Sequence, residues 1–540
     1  MCLAESGMHS AIPKLDQHVG HDNPIVPVVL HDTEIATPEF QVVSIVTFGR
    51  LSPFLAALPA TIVLLAYAIL NGVPFFYPDS FVYFAYGETF WQKVAAVAGQ
   101  LSEAHPDLAA PADPGLGLPT NQEARPGGSD DWSPAAGRSI YYAVLSGLPG
   151  PFPAPWNGVI IQAYTLALVL GMAWRGITGS AGAGYLAAMA VIGLGTTGGI
   201  FAATAMPDIW VATGLAALAV LVSVPRSLHR RDRLVLWAIV LFAALVHSSH
   251  LAVLLALLAV LVGARVMTGL RVAWRTIATC AVVLLLAVAG GKLGRLAMER
   301  AAGGPAVDLP HLTAHLVDGG PGTAFLKDVC PDDRFTACTH VDRLPVEWRT
   351  FLFRMDPAGS VNRARIGQED LSFAIATLRD DPAGVIALAL RDAARQVVMI
   401  DLATTPIRQG IGESAAAERS PSSIAQRVTA GRLYTADQFY VVIARINAVL
   451  AALATVAVAT ALVRHRPTGP HDAWRPLAGV VATGLVLNAA VCGVLASPYD
   501  RFQARVAWLP VFLALILIAI LLTRRALPHI TRNDTRHDPV

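Results

Sequence analysis

The sequence has few charged residues for its length. Only 14% of the 540 residues are Asp, Glu, Lys or Arg, whereas 54% are hydrophobic. A soluble protein typically has about 25% charged residues, so this composition excludes an ordinary soluble domain and predicts a membrane protein. The net charge of +2 is too small to indicate a nucleic-acid partner, and no basic stripe with interleaved aromatic residues is present.

The N-terminus also lacks a signal peptide, which would be a charged segment followed by a short apolar one. Residues 1–50 are polar and mixed, and we expect them to be a disordered cytoplasmic extension. Residues 526–540 are expected to be a cytoplasmic tail. The first apolar run should therefore remain in the membrane.

Ten apolar segments approach the roughly 20 residues that a membrane-spanning helix needs. They predict an all-α fold, a polytopic transmembrane helical bundle with interfacial amphipathic helices and a small helical outer-loop subdomain. The fifth and sixth segments are short and almost joined, so the limits of the spans within 233–265 stay open. The segments lie at about 52–75, 155–174, 182–203, 207–224, 233–248, 250–265, 276–296, 439–463, 476–496 and 506–523.

Arginine clusters orient these spans, because Lys and Arg accumulate in cytoplasmic loops. With ten spans every cluster falls on one side, which predicts that both termini are cytoplasmic and that the protein lies in the bacterial inner membrane. The arginines used are Arg50, Arg175, Arg226, Arg230, Arg231, Arg233, Arg265, Arg271, Arg275, Arg464, Arg466, Arg475, Arg524 and Arg525.

Two long loops then face the outside. The loop at 76–154 contains an amphipathic pattern over 80–101 that is typical of an interfacial helix. The loop at 297–438 is expected to form the helical subdomain. The rest divides into a seven-span module at 51–296 and three C-terminal spans at 439–525.

One helix of the second loop has a recognisable start at Asp381-Pro382, where a capping aspartate precedes a first-turn proline. An apolar face continues from it through Ile386, Leu390, Ala393 and Val397.

Cysteine is scarce, with five residues in the chain. Cys330 and Cys338 lie eight positions apart in the second outer loop, where an oxidising periplasm favours a disulfide. Free thiols are the alternative. No His or Cys pair lies beside them at zinc spacing.

Polar residues at the span ends gather on the outer side, and polar groups near a membrane usually have a function. The cytoplasmic turns contain arginine but no comparable mixture of carboxylate, histidine and tyrosine. The candidate site residues are Asp79, Arg138, Tyr142, Asp208, His247, His250, Arg501 and Arg505.

Several candidates have structural alternatives. Asp79 and Asp208 could cap helices, and His247 and His250 could hydrogen-bond within a tight turn. Arg138 could bind lipid headgroups.

The last two arginines lie on the outer side, where the charge bias disfavours them. A salt bridge from Asp500 to Arg501 or Arg505 is the structural alternative.

The layout resembles the GT-C superfamily of polytopic membrane glycosyltransferases. A first span precedes an outer loop with an early aspartate, an interfacial helix and the segment Gly137-Arg138-Ser139-Ile140-Tyr141-Tyr142. The resemblance covers most of residues 50–525 in layout, although its motifs are short. This chain has Pro-Asp-Ser where many relatives have two adjacent acidic residues, and it lacks a Trp-Trp-Asp signature.

The resemblance implies a polyprenyl-phosphate-linked sugar as donor, membrane lipids as surroundings and a glycan, lipid or protein as acceptor. Asp79 matches the early-loop carboxylate and becomes the expected base, while Asp208 matches the second acidic position. The segment from Pro498 to Arg505 resembles a late loop that holds the donor phosphate, with Arg501 favoured. A divalent cation at Asp79 and Asp208 stays open.

These residues also fit the chemistry of sugar transfer. A carboxylate can remove the acceptor proton, and a bidentate arginine suits a leaving phosphate better than lysine. The competing classes are a glycan polymerase or ligase and a transporter of lipid-linked glycans. A transporter should have broken helices near the middle of the bilayer, for which the Gly-rich stretch from Gly193 to Gly199 is the candidate.

Overall fold

In the computed structural model, the described part of the chain is all-helical, which confirms the predicted all-α class. No β-strand occurs in the part of the chain that the structure describes, although a single bridge pairs Phe75 with Thr204. The described residues are 52–104, 138–268, 272–302, 306–330, 334–356, 361–402, 422–433, 437–464 and 470–526. The predicted extension at 1–50 lies outside them, as does the predicted tail at 526–540 apart from Ala526.

The helices up to residue 302 include α3, which covers the predicted amphipathic segment, whereas its position at the membrane interface stays a prediction. They are α1 (Pro53–Leu64), α2 (Ala66–Asn71), α3 (Pro78–Ala104), α4 (Ile140–Ser146), α5 (Trp156–Thr178), α6 (Ala183–Gly195), α7 (Thr197–Ala202), α8 (Ile209–Ser223), α9 (Arg230–Leu245), α10 (Ser248–Thr268) and α11 (Trp274–Ala302).

The helices after residue 302 begin with the outer-loop segment. They are α12 (His311–Gly319), α13 (Pro321–Val329), α14 (Trp348–Phe353), α15 (Val361–Asp380), α16 (Pro382–Val398), α17 (Ser422–Thr429), α18 (Asp437–Arg464), α19 (Trp474–Leu495), α20 (Asp500–Ala504) and α21 (Leu509–Ala526).

Six stretches of helix are long and apolar enough to cross a membrane, and they make this a multi-pass membrane protein. They fall in α5, α10, α11, α18, α19 and the α20–α21 region. The helices α1, α6 and α8 are apolar but shorter. The count of ten spans and the sidedness of the termini stay predictions.

Two of the predicted spans are each divided into two helices. The first breaks at Leu65, between α1 and α2. The other breaks at Thr196, whose hydroxyl accepts a hydrogen bond from the Gly198 amide and so starts α7 afresh. A Cβ at Gly199 would collide with the carbonyl oxygen of Gly193, so only glycine permits this sharp junction.

The helices of the segment predicted to form the second outer loop build an apolar core of their own, separate from the main one. Phe325, Phe335 and Phe373 pack edge to face at its centre. A disulfide joins Cys330 to Cys338 at its border.

The helix α16 begins as its sequence predicts. The Asp381 side chain accepts a hydrogen bond from the Gly384 amide, and Pro382 occupies the first turn. The predicted apolar face is not buried, because Ile386 and Leu390 are more than half exposed. The opposite face packs against α19 and buries Asp392 and Gln396.

Candidate functional site

Asp79 and Arg138 form the first of two ion pairs. Asp79 lies in the first turn of α3, and its Oδ1 is 2.5 Å from Nη2 of Arg138, just before α4. The next residue, Ser139, donates a hydrogen bond to the carbonyl oxygen of Leu245 and caps α4. The carboxylate therefore pairs with an arginine rather than only closing a turn, and it remains about a quarter exposed.

Asp208 and Arg505 form the second pair, and both are buried. Asp208 occupies the N-cap position of α8, yet its side chain makes no capping hydrogen bond. Its Oδ1 instead lies 3.2 Å from Nη1 of Arg505. Nη2 of Arg505 donates to Asn488 Oδ1 at 3.0 Å and contacts Cys492 Sγ at 3.2 Å. The capping alternative for Asp208 is therefore wrong.

Arg501 links the two pairs. Its Nε lies 3.8 Å from Asp208 Oδ1, and it also interacts electrostatically with Asp79. Its guanidinium stacks on the ring of Tyr77, 3.9 Å from the centroid. Nε and Nη1 are buried and make no hydrogen bond within the described part of the chain. Asp208 is thus within ion-pair distance of both late arginines, while the Asp500 side chain accepts a hydrogen bond from the Arg501 amide.

Backbone contacts bring these elements together. The Phe75 amide and carbonyl bond to Ala203 and Ala205, which holds the segment before α3 against the turn that leads to Asp208. The hydroxyls of Tyr77 and Tyr499 lie 3.2 Å apart and join this segment to the turn before Arg501.

A small, mostly apolar cleft opens at this point. Asp208 and Arg501 are its charged members. The other lining residues are Phe75, Phe76, Tyr77, Ile200, Phe201, Thr204, Met206 and Leu402. An apolar cleft that ends at an arginine suits an anion attached to an apolar chain.

The two histidines of the predicted site lie beside the second pair. Nδ1 of His247 is 2.9 Å from Ser249 Oγ and accepts a hydrogen bond from the Ser249 amide, as in the tight-turn alternative. His250 is fully buried and bonds through Nδ1 to the Ala243 carbonyl oxygen. The rings of His247 and His250 are 5.1 Å apart.

Tyr142 is the predicted site residue that is least available to a ligand. It is 1% exposed, and its hydroxyl hydrogen-bonds to Gln162 at 3.1 Å. Its ring packs edge to face on Tyr83. Arg138 lies over the same Tyr83 ring, so Tyr142 supports the Asp79–Arg138 pair through Tyr83.

His311 is a site residue that the sequence analysis missed. It starts α12, and Asp370 accepts hydrogen bonds from the Leu312 and Thr313 amides in the same turn. Burial, together with the charge of Arg138, lowers the pKa of His311 to about 4, although Asp79 acts in the opposite direction. The imidazole is therefore neutral at pH 7, beside the Asp79–Arg138 pair.

The other site residues that were not predicted differ in whether the sequence contains a signal for them. Asn488 is a lone amide within an apolar span, and that is a signal for function or packing. Gln162 in α5 gives the same signal. Tyr77 and His311 follow no pattern that distinguishes them from other residues near a span.

The residues fit a metal ion poorly. No three His, Cys, Asp or Glu side chains come together as possible ligands within the described residues. Asp79 and Asp208 each face arginine, whose positive charge would repel a cation.

Comparisons with protein-family models, with curated proteins and with solved structures find no match to this chain.

Proposed function

We propose that the protein is an integral membrane glycosyltransferase that moves a sugar from a polyprenyl-phosphate donor to an acceptor on the outer face of the membrane. The observation on which this depends is the environment of Arg501. Its guanidinium has two buried nitrogens that make no hydrogen bond to the described residues, lines an apolar cleft and interacts with two carboxylates. Buried donors almost always have an acceptor, so a ligand should supply one.

The donor phosphate is the acceptor group that suits Arg501. Phosphate oxygens can accept two parallel N–H bonds from one guanidinium, and the apolar lining can contact the first isoprene units. As the bond between the anomeric carbon and the phosphate oxygen breaks, negative charge grows on the phosphate. A fixed arginine stabilises that charge.

Asp79 is the proposed base. The acceptor hydroxyl attacks the anomeric carbon, the new C–O bond forms, and the proton passes to the Asp79 carboxylate. Its exposure makes Asp79 the more accessible of the two carboxylates. Arg138 orients it through the hydrogen bond from Nη2 to Oδ1.

Asp208 has a different role in this proposal. It is buried against Arg505 and lies near Arg501, so it holds the phosphate-binding arginine in place. Each carboxylate faces arginine, so no step passes through a metal ion.

A second candidate function is movement of a lipid-linked glycan across the membrane without sugar transfer. The break at Thr196 between α6 and α7 favours it, because transporters use interrupted helices at their binding sites. The apolar cleft and Arg501 would then bind the travelling lipid phosphate.

A single experiment separates the two. The purified protein is reconstituted in liposomes with a panel of radiolabelled polyprenyl-phosphate sugars and an extract of cell-envelope acceptors. A transferase releases polyprenyl phosphate and labels the acceptor, and Asp79→Asn abolishes both. A transporter moves the intact donor to the other leaflet and leaves the bond between sugar and phosphate unbroken. That result would overturn the proposal.

A further inference from the structure

The turn that precedes Arg501 has an unusual backbone. Ser497 has φ of +77°, a left-handed conformation that residues other than glycine seldom adopt. The turn of Ser497, Pro498 and Tyr499 joins α19 to α20, and Arg501 lies two residues beyond it. Contacts from outside the turn must hold such a conformation, and α12 and α16 of the outer loop provide them.

The side-chain amide of Gln396 in α16 forms hydrogen bonds with both backbone groups of Tyr499. Its Nε2 donates to the Tyr499 carbonyl oxygen at 2.8 Å, and its Oε1 accepts from the Tyr499 amide at 2.8 Å. Gln396 is fully buried, so no water competes for these bonds. One amide that satisfies both backbone groups of a residue fixes its orientation as well as its position.

His315 of α12 holds the start of the same turn. Its Nδ1 lies 2.8 Å from Ser497 Oγ, and its Nε2 lies 3.8 Å from Asp392 Oδ2 on α16. All three side chains are buried. The two outer-loop helices therefore bind consecutive parts of one turn.

We propose that Gln396 and His315 are positioning residues, through which the outer-loop subdomain fixes Arg501 in its ligand-binding orientation. This inference rests on the proposed function, in which Arg501 binds the donor phosphate. The path is short: Gln396 holds the Tyr499 backbone, the Tyr499 hydroxyl contacts Tyr77, and Tyr77 stacks on Arg501.

The consequence is that α16 affects donor binding without touching the donor. Replacing Gln396 with Leu keeps the volume close but removes both bonds to Tyr499. In Gln396→Glu burial favours the protonated acid, which keeps an acceptor for the Tyr499 amide and a donor to its carbonyl oxygen. Its effect should therefore be smaller.

The test measures binding of a short-chain polyprenyl phosphate to the full-length protein in nanodiscs. Gln396→Leu should weaken binding at least about tenfold, because a displacement near 1 Å can cost on the order of 10²-fold in a positioned group. Gln396→Glu should fall between it and the unchanged protein. Thr377→Val is the matched control, since Thr377 is also buried in an outer-loop helix but bonds only within α15.

A double-mutant cycle with Arg501→Lys separates positioning from general stability. A positioning role makes Gln396→Leu and Arg501→Lys non-additive, because the second change finds Arg501 already misplaced or absent. Additive losses, or unchanged binding in Gln396→Leu, would overturn the inference. Should Gln396→Leu not fold, Gln396→Glu takes its place in the cycle.

Failure of the proposed function gives a different result. If Arg501→Lys itself binds the polyprenyl phosphate as tightly as the unchanged protein, Arg501 does not bind the phosphate. The positioning role of Gln396 and His315 is then wrong as well. If Arg501→Lys binds weakly and Gln396→Leu binds normally, only the positioning role is wrong.

Discussion

The guanidinium of Arg501 lies 3.9 Å from the centre of the Tyr77 ring. A cation above an aromatic face gains about 0.5–2 kcal/mol, depending on how far it is desolvated. The stacking occupies the flat face of the guanidinium and leaves its N–H edge for hydrogen bonds. Around this rim, Nε and Nη1 make none within the described residues. Tyr77 thus presents Arg501 edge-on to a ligand.

The first prediction concerns Arg501→Lys. Lysine keeps the charge but loses the planar fork and the stacking on Tyr77. We expect sugar transfer to fall by about 10²–10³, in the range observed when a transition-state donor is removed. Steady-state transfer by purified protein in nanodiscs measures it. Wild-type turnover in this variant would show that Arg501 does not bind the leaving phosphate.

The second prediction concerns Asp79→Asn, which keeps the size of the side chain and removes the base. Loss of a positioned general base costs about 10²–10⁴ in rate. The variant should insert and purify normally and still bind polyprenyl phosphate, because Arg501 is untouched. Full transfer activity in Asp79→Asn would show that Asp79 is not the base and only pairs with Arg138. Chelation with EDTA should leave transfer by the unchanged protein intact.

The third prediction concerns stability. Breaking a buried ion pair from one side costs about 3–5 kcal/mol, because the other charge is left without compensation. Asp208→Asn should therefore lower thermal stability strongly, since Arg505 is almost fully buried. Combining it with Arg505→Met should recover part of the loss. Asp79→Asn, at a more exposed pair, is the matched comparison and should change the unfolding temperature less.

Additive losses in the Asp208→Asn and Arg505→Met double variant would contradict this pairing. The measurement is thermal unfolding in detergent, followed by tryptophan fluorescence for all variants under the same conditions.

The sequence was sufficient to find the candidate residues but not their partners. Hydropathy and the arginine bias place Asp79, Asp208 and Arg505 at span ends on one side, and alternating helices bring such ends together. Which charges meet depends on the rotation of each helix about its axis. Arg505 pairs with Asp208, which lies 297 positions earlier in the chain, and no sequence pattern links the two.

The outer loop was the least predictable part. The start of α16 follows from Asp381 and Pro382, whose local chemistry is independent of the rest of the fold. Gln396 is a polar residue on an amphipathic helix, and nothing in its neighbours indicates that it bonds to the Tyr499 backbone. Pairing of this kind is decided by tertiary packing alone.

The fourth prediction tests the topology. Ser372 in α15 and Ser227 between α8 and α9 are both exposed, and the arginine bias predicts that they lie on opposite sides of the membrane. In intact spheroplasts an impermeant thiol reagent should label Ser372→Cys and leave Ser227→Cys unlabelled until the cells are opened. Cys2 is first replaced with Ser, and that protein without an added cysteine is the control, because Cys280 and Cys492 are buried and Cys330 is bonded to Cys338. The reverse pattern would invert the orientation.

The last prediction follows from His311. Its pKa is lowered to about 4, first by burial and then by Arg138, whereas the ordinary value is 6.5. Between these two values the unfolded chain binds more protons than the folded protein. The free energy of unfolding should therefore fall as the pH drops from about 6.5 to about 4. His311→Gln removes this titration and keeps a polar side chain at the start of α12.

Comparing the unchanged protein with His311→Gln isolates the titration of His311, because the two proteins have the same carboxylates. If the neutral imidazole stabilises the fold at pH 7, the unchanged protein should have a higher unfolding midpoint than His311→Gln at that pH. Measured at intervals down to pH 4, the two midpoints should converge. The same pH range should weaken transfer by the unchanged protein more than by the variant, since a protonated His311 would add a positive charge beside Arg138 and Asp79. Parallel pH profiles would show that His311 does not titrate in this window, and that its imidazole is not in the buried environment beside the Asp79–Arg138 pair.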